Sequence, residues 1–183
     1  SQRFPAKSMD RKAIEARVAP LLAPIPGANR AGENAQYDPR FEALRAEVTK
    51  IESPTGGLPE WPAVARGGIE LLQKTSKDLM VACYVGWAWC ETEGLAGLAA
   101  ALHLIDGLMN GYWDDGFPPV KRLRGRANAL GWFIGRFDAA LGAMQVGPND
   151  RIALALLGEY GPTIARTVRD RFGDEAPAMR SLT

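Results

Sequence analysis

A single histidine bounds the acid–base chemistry open to this chain. His103 stands three residues before Asp106, a spacing that puts imidazole and carboxylate on one helix face as a general acid/base pair. No nucleophile or second carboxylate lies at a matching spacing, so the pair reads as part of a solvated strip. One histidine and no CxxC pair also fall short of a closed tetrahedral zinc site, and no metal is expected. Cys83 and Cys90 would lie about 10 Å apart along a helix axis, too far to bridge, and read as buried thiols in a reducing compartment. Gly27 and Gly32 sit in a loop with neither a preceding strand nor a Gly-Lys-Ser/Thr ending, so phosphate binding is not expected there, nor any cofactor. No serine elbow accompanies the histidine.

The densest charge is Lys121, Arg122, Arg124 and Arg126, beside Trp113, Phe117 and Trp132. Guanidinium forks bind carboxylates or phosphates bidentately, and aromatic neighbours anchor protein interfaces. Trp113, Phe117, Lys121, Arg122, Arg124 and Arg126 are therefore the candidate protein contacts. A solvated or internally paired helix start remains the competing reading of the same residues. Nucleic acid is not an expected partner, because Lys and Arg total 22 against 21 Asp and Glu, a net charge of +1 without a wide basic stripe. One enzymatic alternative stands beside the contact reading: a cofactor-free all-α enzyme of mutase type, in which Arg122, Arg126 and either Glu70 or Glu91 converge on an anionic substrate.

Those side chains must be positioned by helices, since strand signals are nearly absent. Asp10 caps a first helix carrying Ile14, Val18 and Leu21 or Leu22, stopped by Pro24 and Pro26. A shaped loop over residues 24–38 precedes Asp38-Pro39, an N-cap and first helical residue for a stripe of Phe41, Leu44, Val48 and Ile51. A third helix starts near Trp61-Pro62 and runs through Val64, Ile69 and Leu72; Gly67 and Gly68 within it predict a kink or a close helix crossing. Residues 79–90 are apolar on every side. Their types also suit a strand, but Ala82, Ala88, the acidic tail and the helical patterns on both sides favour a buried helix.

The stripe Leu95, Leu98, Leu102, Ile105, Met109 and Tyr112 defines the next helix. After a loop over residues 113–119, a long helix is expected over residues 120–144, with Gly131, Gly135, Ala139 and Gly142 as a small-residue face for tight packing. Two further helices are expected, one after Asn149-Asp150 and one after Gly161-Pro162, followed by a polar, frayed end. The expectation is an all-α, antiparallel helical bundle of about seven or eight helices. Residues 1–9 read as a flexible arm or cloning remnant, residues 10–173 as one domain, and residues 174–183 as a polar tail or linker.

The composition fits this plan. The chain has 183 residues, 46% apolar and 23% charged, ordinary for one globular domain and unlike a disordered segment. The uncharged run over residues 79–90 is too short to span a bilayer, which needs about 20 residues, so no membrane insertion is expected. The charged start lacks an apolar h-region, and a cytoplasmic address follows by default.

The loop GANRAGENAQYDPRF, the segment EWPAVARGGIELLQKTSKDLMVACYV, the run EGLAGLAAALHLIDGL and the later YWDDGFPPVKRLRGRANALGWF occur in that order. Together they resemble the ImpA amino-terminal domain of TssA-like proteins of bacterial type VI secretion, over about residues 24–137. Gly32-Glu33, Tyr37-Asp38-Pro39, Ser76-Lys77-Asp78-Leu79, Gly94-Leu95, Gly97-Leu98 and Trp113 match the family pattern; Asn29-Arg30 departs from it where Asn-Pro is usual. The resemblance implies a non-enzymatic structural component that helps organise the baseplate and the tail tube and sheath. Its expected partners are baseplate, sheath or tube proteins, and its parent protein is a homo-oligomer built through a separate carboxy-terminal region. Tyr37, Asp38 and Ser76 to Asp78 are then loop anchors and helix caps.

Overall fold

The Asp10 carboxylate accepts the Ala13 amide at 2.9 Å and starts α1 (Arg11–Leu22), which buries Ile14, Val18 and Leu21. The computed structural model describes residues 10–182; the amino-terminal arm lies outside them. Asp38 caps α2 (Pro39–Val48) through the Arg40 amide at 2.8 Å, with Pro39 opening the helix and Phe41, Leu44 and Val48 facing inward.

In α3 (Trp61–Lys74) the glycine pair marks a close crossing. A Cβ at Gly68 would stand 2.4 Å from a Val85 methyl on α4 (Leu79–Glu93). α4 is the buried axis of the bundle: every residue from Leu79 to Cys90 except Met80 is buried. Such a helix must be apolar all round, which is why its sequence lacks an amphipathic rhythm.

Gly94, at φ +65°, turns α4 into α5 (Leu95–Gly111). The two run antiparallel with backbones in contact, since a Cβ at Gly97 would lie 2.0 Å from the Trp89 carbonyl oxygen. The small side of α5 exists to allow this approach.

The fold has seven α-helices among the described residues, with two isolated bridges and no strand. It departs from the sequence reading in three places. First, α6 (Leu123–Leu141) is preceded by a 3-10 turn, Val120–Arg122, and ends before Met144. Its small-residue face is not a packing seam: among the described residues, Gly135 and Gly142 have nothing within 4 Å of a would-be Cβ, and Gly131 meets only Pro177.

Second, α7 (Arg151–Phe172) runs unbroken through Pro162 where two helices were expected. Pro162 and Gly158 are both exposed, so the Gly158 carbonyl freed by the missing amide faces water. Tyr160, Ile164, Val168 and Phe172 meanwhile hold both halves on one buried stripe. α7 lies parallel to α5, as the pairings of His103 with Tyr160 and of Asn110 with Thr167 require. Third, the polar end does not fray. Gly173 at φ +52° closes α7, a turn at Arg180–Leu182 follows, and Leu182 is buried with its carbonyl against Gly161.

Candidate protein-contact site

The face carrying the basic cluster is assembled around residues 75–78, the link between α3 and α4. On one side the Glu33 amide donates to the Thr75 carbonyl at 2.8 Å and the Lys77 amide to the Ala31 carbonyl at 2.9 Å. On the other, the Phe117 amide donates to the Lys77 carbonyl at 2.9 Å and the Leu79 amide to the Phe117 carbonyl at 2.7 Å. Two loops distant in sequence are thereby laced to one strut.

Lys77 is fully buried. Its ammonium donates at 2.7 Å to the carbonyls of Leu21 and Leu72, at the C-terminal ends of α1 and α3. The Tyr112 hydroxyl donates to the neighbouring Leu22 carbonyl at 2.7 Å. These oxygens have no partner within their own helices, and a cation suits the negative end of a helix dipole. Burial, and secondarily Arg30, lowers the Lys77 pKa to about 8. Asp78 is the opposite case: it caps α4 by accepting the Val81 amide at 3.0 Å, and burial raises its pKa to about 6.

Arg126 holds the second loop in shape. Only 3% exposed, it donates from Nε to the Pro118 carbonyl at 2.6 Å, from Nη1 to Trp113 at 2.6 Å and from Nη2 to Gly116 at 3.0 Å. Its guanidinium also lies 4.7 Å from the Trp113 ring, which meets Phe172 edge-on at 5.2 Å. One fork thus replaces the hydrogen bonds that the loop carbonyls would otherwise make to water.

The six candidate residues therefore divide. Arg126 is an internal brace, and Trp113 and Phe117 are half-buried in the bundle wall. Lys121, Arg122 and Arg124 are exposed and form no ion pair among the described residues. Arg122 and Arg124 line a groove of about 380 Å³ with Pro118, Pro119 and Asn128 on their side; Phe41, Arg45, Asp78 and Met80 also line it, with Asn34 and Gln36.

The groupings required by the enzymatic alternative do not form. Arg122 lines this groove while Arg126 lines a separate space of about 10 Å³ shared with Lys77, room for about one water. Glu91 lines a third cavity beside Trp87, and Glu70 is exposed on α3, 4.0 Å from Lys74. His103 stacks on Tyr160 at 5.4 Å and shares a cleft with Asp106 and the paired Arg11 and Glu159, so it is packed into the α5–α7 contact more than the strip reading implied. Cys83 and Cys90 are free and buried; burial pushes both thiols up, Cys90 to about 12. No group of three or more His, Cys, Asp and Glu among the described residues is placed to hold a metal, and no helix there is long and apolar enough to cross a membrane.

A model of the family described as ImpA, N-terminal, type VI secretion system, matches residues 22–135. The chain belongs to that family. Among curated proteins it is similar to the type VI secretion system component TssA1 of Pseudomonas aeruginosa, 34% identical over 108 residues. That alignment takes in 55% of this chain and 31% of the relative, so the chain spans about a third of the curated protein it matches. Among solved structures it is similar to the N-terminal domain, including the conserved ImpA_N region, of the TssA component of the type VI secretion system from Burkholderia cenocepacia. The TM-score is 0.74 at 20% identity, over 99% of this chain and 92% of that one, which shows a shared fold.

The ImpA pattern residues are largely joints. Gly32, at φ +73°, bridges Ser76; a Cβ there would stand 2.0 Å from the Thr75 carbonyl oxygen. Asp38 and Asp78 are caps, Lys77 ties two helix ends, Gly94 and Gly97 allow the α4–α5 hairpin, and Trp113 seats Arg126. Tyr37 is the correction. Expected as a loop anchor, it is 86% exposed, on the same 3-10 turn as Gln36 of the groove. Arg30, where the family pattern has proline, stacks 4.2 Å from Tyr112 and pairs with Asp115 at 3.0 Å. A side-chain strut there stands in for a stiff ring.

Proposed function

We propose that this ImpA N-terminal domain is a non-enzymatic docking module of a type VI secretion system. It helps organise the baseplate and the tail tube and sheath from the cytoplasmic side, within a parent protein that oligomerises through another region. The observation that carries the reading is a braced face on which Lys121, Arg122 and Arg124 project without ion pairs among the described residues, beside a groove, while Arg126 and Lys77 are consumed in holding that face in shape. Preorganised surfaces bind with less entropy lost on association.

The test is charge reversal. Arg122→Glu with Arg124→Glu is expected to weaken capture of purified baseplate, sheath or tube components by about tenfold or more, with the melting temperature not lowered, because both side chains are exposed and acids suit the α6 N-terminus. Undiminished capture by a folded double variant would remove this face from the docking function.

A further inference from the structure

The groove differs in kind from the charge around it. Its walls combine Phe41, Met80, Pro118 and Pro119 with three side-chain amides, Asn34, Gln36 and Asn128. Gln36 and Asn128 each carry both a donor and an acceptor, while Asn34, whose Oδ1 already accepts the Gln36 amide at 3.0 Å, adds its NH2 donor. An extended peptide needs that complement, because its backbone N–H and C=O groups have no partners of their own; a helix satisfies its own and is about 10 Å across. At about 380 Å³ the groove is within the usual range for pockets that enclose a ligand.

The electrostatics select the sign of the occupant. Arg122 and Arg124 stand on one side without ion pairs among the described residues, and Arg45 lies 4.7 Å from the Phe41 ring and pairs with Glu42 at 3.0 Å. Among the described residues, the one acidic residue lining the groove is Asp78, which is 4% exposed and has its carboxylate turned to the α4 amides. The first turn of α6 contains no acid, although the positive end of a helix dipole favours one. Among the described residues, the positive charge of Arg122 and Arg124 at this rim is thus left without an ion-pair partner.

We propose that the groove receives an extended acidic segment of a partner protein, its carboxylates meeting Arg122 and Arg124 and its apolar side chains lying on Phe41, Met80, Pro118 and Pro119. This deepens the docking reading above and rests on it.

The probe is a fluorescein-labelled decapeptide of six Glu and four Leu, with a counterpart carrying Lys for Glu, followed by fluorescence anisotropy on the intact 183-residue chain. The acidic peptide is expected to bind and the basic one not. Arg122→Glu with Arg124→Glu should weaken binding by about tenfold or more, as should raising salt from about 50 to about 300 mM. Arg66→Glu with Arg151→Glu changes net charge equally outside the groove and should leave binding intact. No acidic binding, equal binding of both peptides, or equal weakening by the two double variants would overturn the proposal. So would equal, Arg122-dependent binding of an oligothymidylate of about twelve nucleotides, which would make the site a general polyanion surface.

Capture of secretion components run in parallel separates the two ideas. Capture by wild type without acidic-peptide binding sinks the occupant and leaves docking in place. Peptide binding without capture supports the occupant's chemistry and sinks the docking role.

Discussion

Asp78 and Lys77 are adjacent, buried and ionisable, yet they have different tasks. Lys77 closes two helix ends with its charge, whereas Asp78 needs only a carbonyl-like oxygen to cap α4. The Asp78 pKa is raised to about 6 from 3.8, so the folded chain binds a proton between those values that the unfolded chain has released. The stability linked to that proton is fully present below about pH 4 and is lost as pH rises through 6, at roughly 3 kcal/mol in all. Asp38 works oppositely: hydrogen bonds from Arg40 hold its carboxyl low, and that contribution disappears as pH falls. Asp78→Asn keeps the cap oxygen and removes the buried charge. It should raise the urea midpoint at pH 7, and its advantage over wild type should shrink toward zero by about pH 4. A constant difference across that range would show that the carboxyl titrates normally.

The helices were legible where a cap or a stripe announced them. Asp10, Asp38 and Asp78 each start a helix at the expected place, because a side-chain acceptor before an apolar rhythm is a local signal. α7 was misread because Gly161-Pro162 is also a local signal, and a buried stripe contacting α5 outweighed it. Pro162→Ala restores an amide donor for the Gly158 carbonyl and a better helix former. Set against some lost stiffening of the unfolded chain, it should stabilise the fold by about 1–2 kcal/mol in urea unfolding. A destabilised variant would mean that the bundle is built around a bend at that point.

Across the whole molecule, Arg126 joins the loop of residues 113–119 to α6, and that loop is laced to the α3–α4 link and through it to residues 31–33. Pro118 and Pro119 of the groove hang on this brace. Arg126→Lys supplies charge without three nitrogens in a fixed fork. It should cost about 2–3 kcal/mol and speed amide exchange in residues 113–119, while the α4 core keeps its relative protection. Unchanged exchange in the loop would show that the carbonyls are held by the backbone lacing alone.

From residue types in order came the all-helical class, the buried α4, the caps, the family and the basic cluster as a unit of charge. Periodicity, capping and ordered motifs act over a few residues and can be read one stretch at a time. The fates of individual cluster members could not be read that way. Arg122 and Arg126 have the same chemistry four residues apart, and one lines an open groove while the other is enclosed by loop carbonyls. Tyr37 projects into solvent and Lys77 is entirely enclosed, against the usual tendencies of both residue types. Only the packing of loops distant in sequence decides these outcomes, because burial and hydrogen-bond satisfaction depend on which segments meet in space.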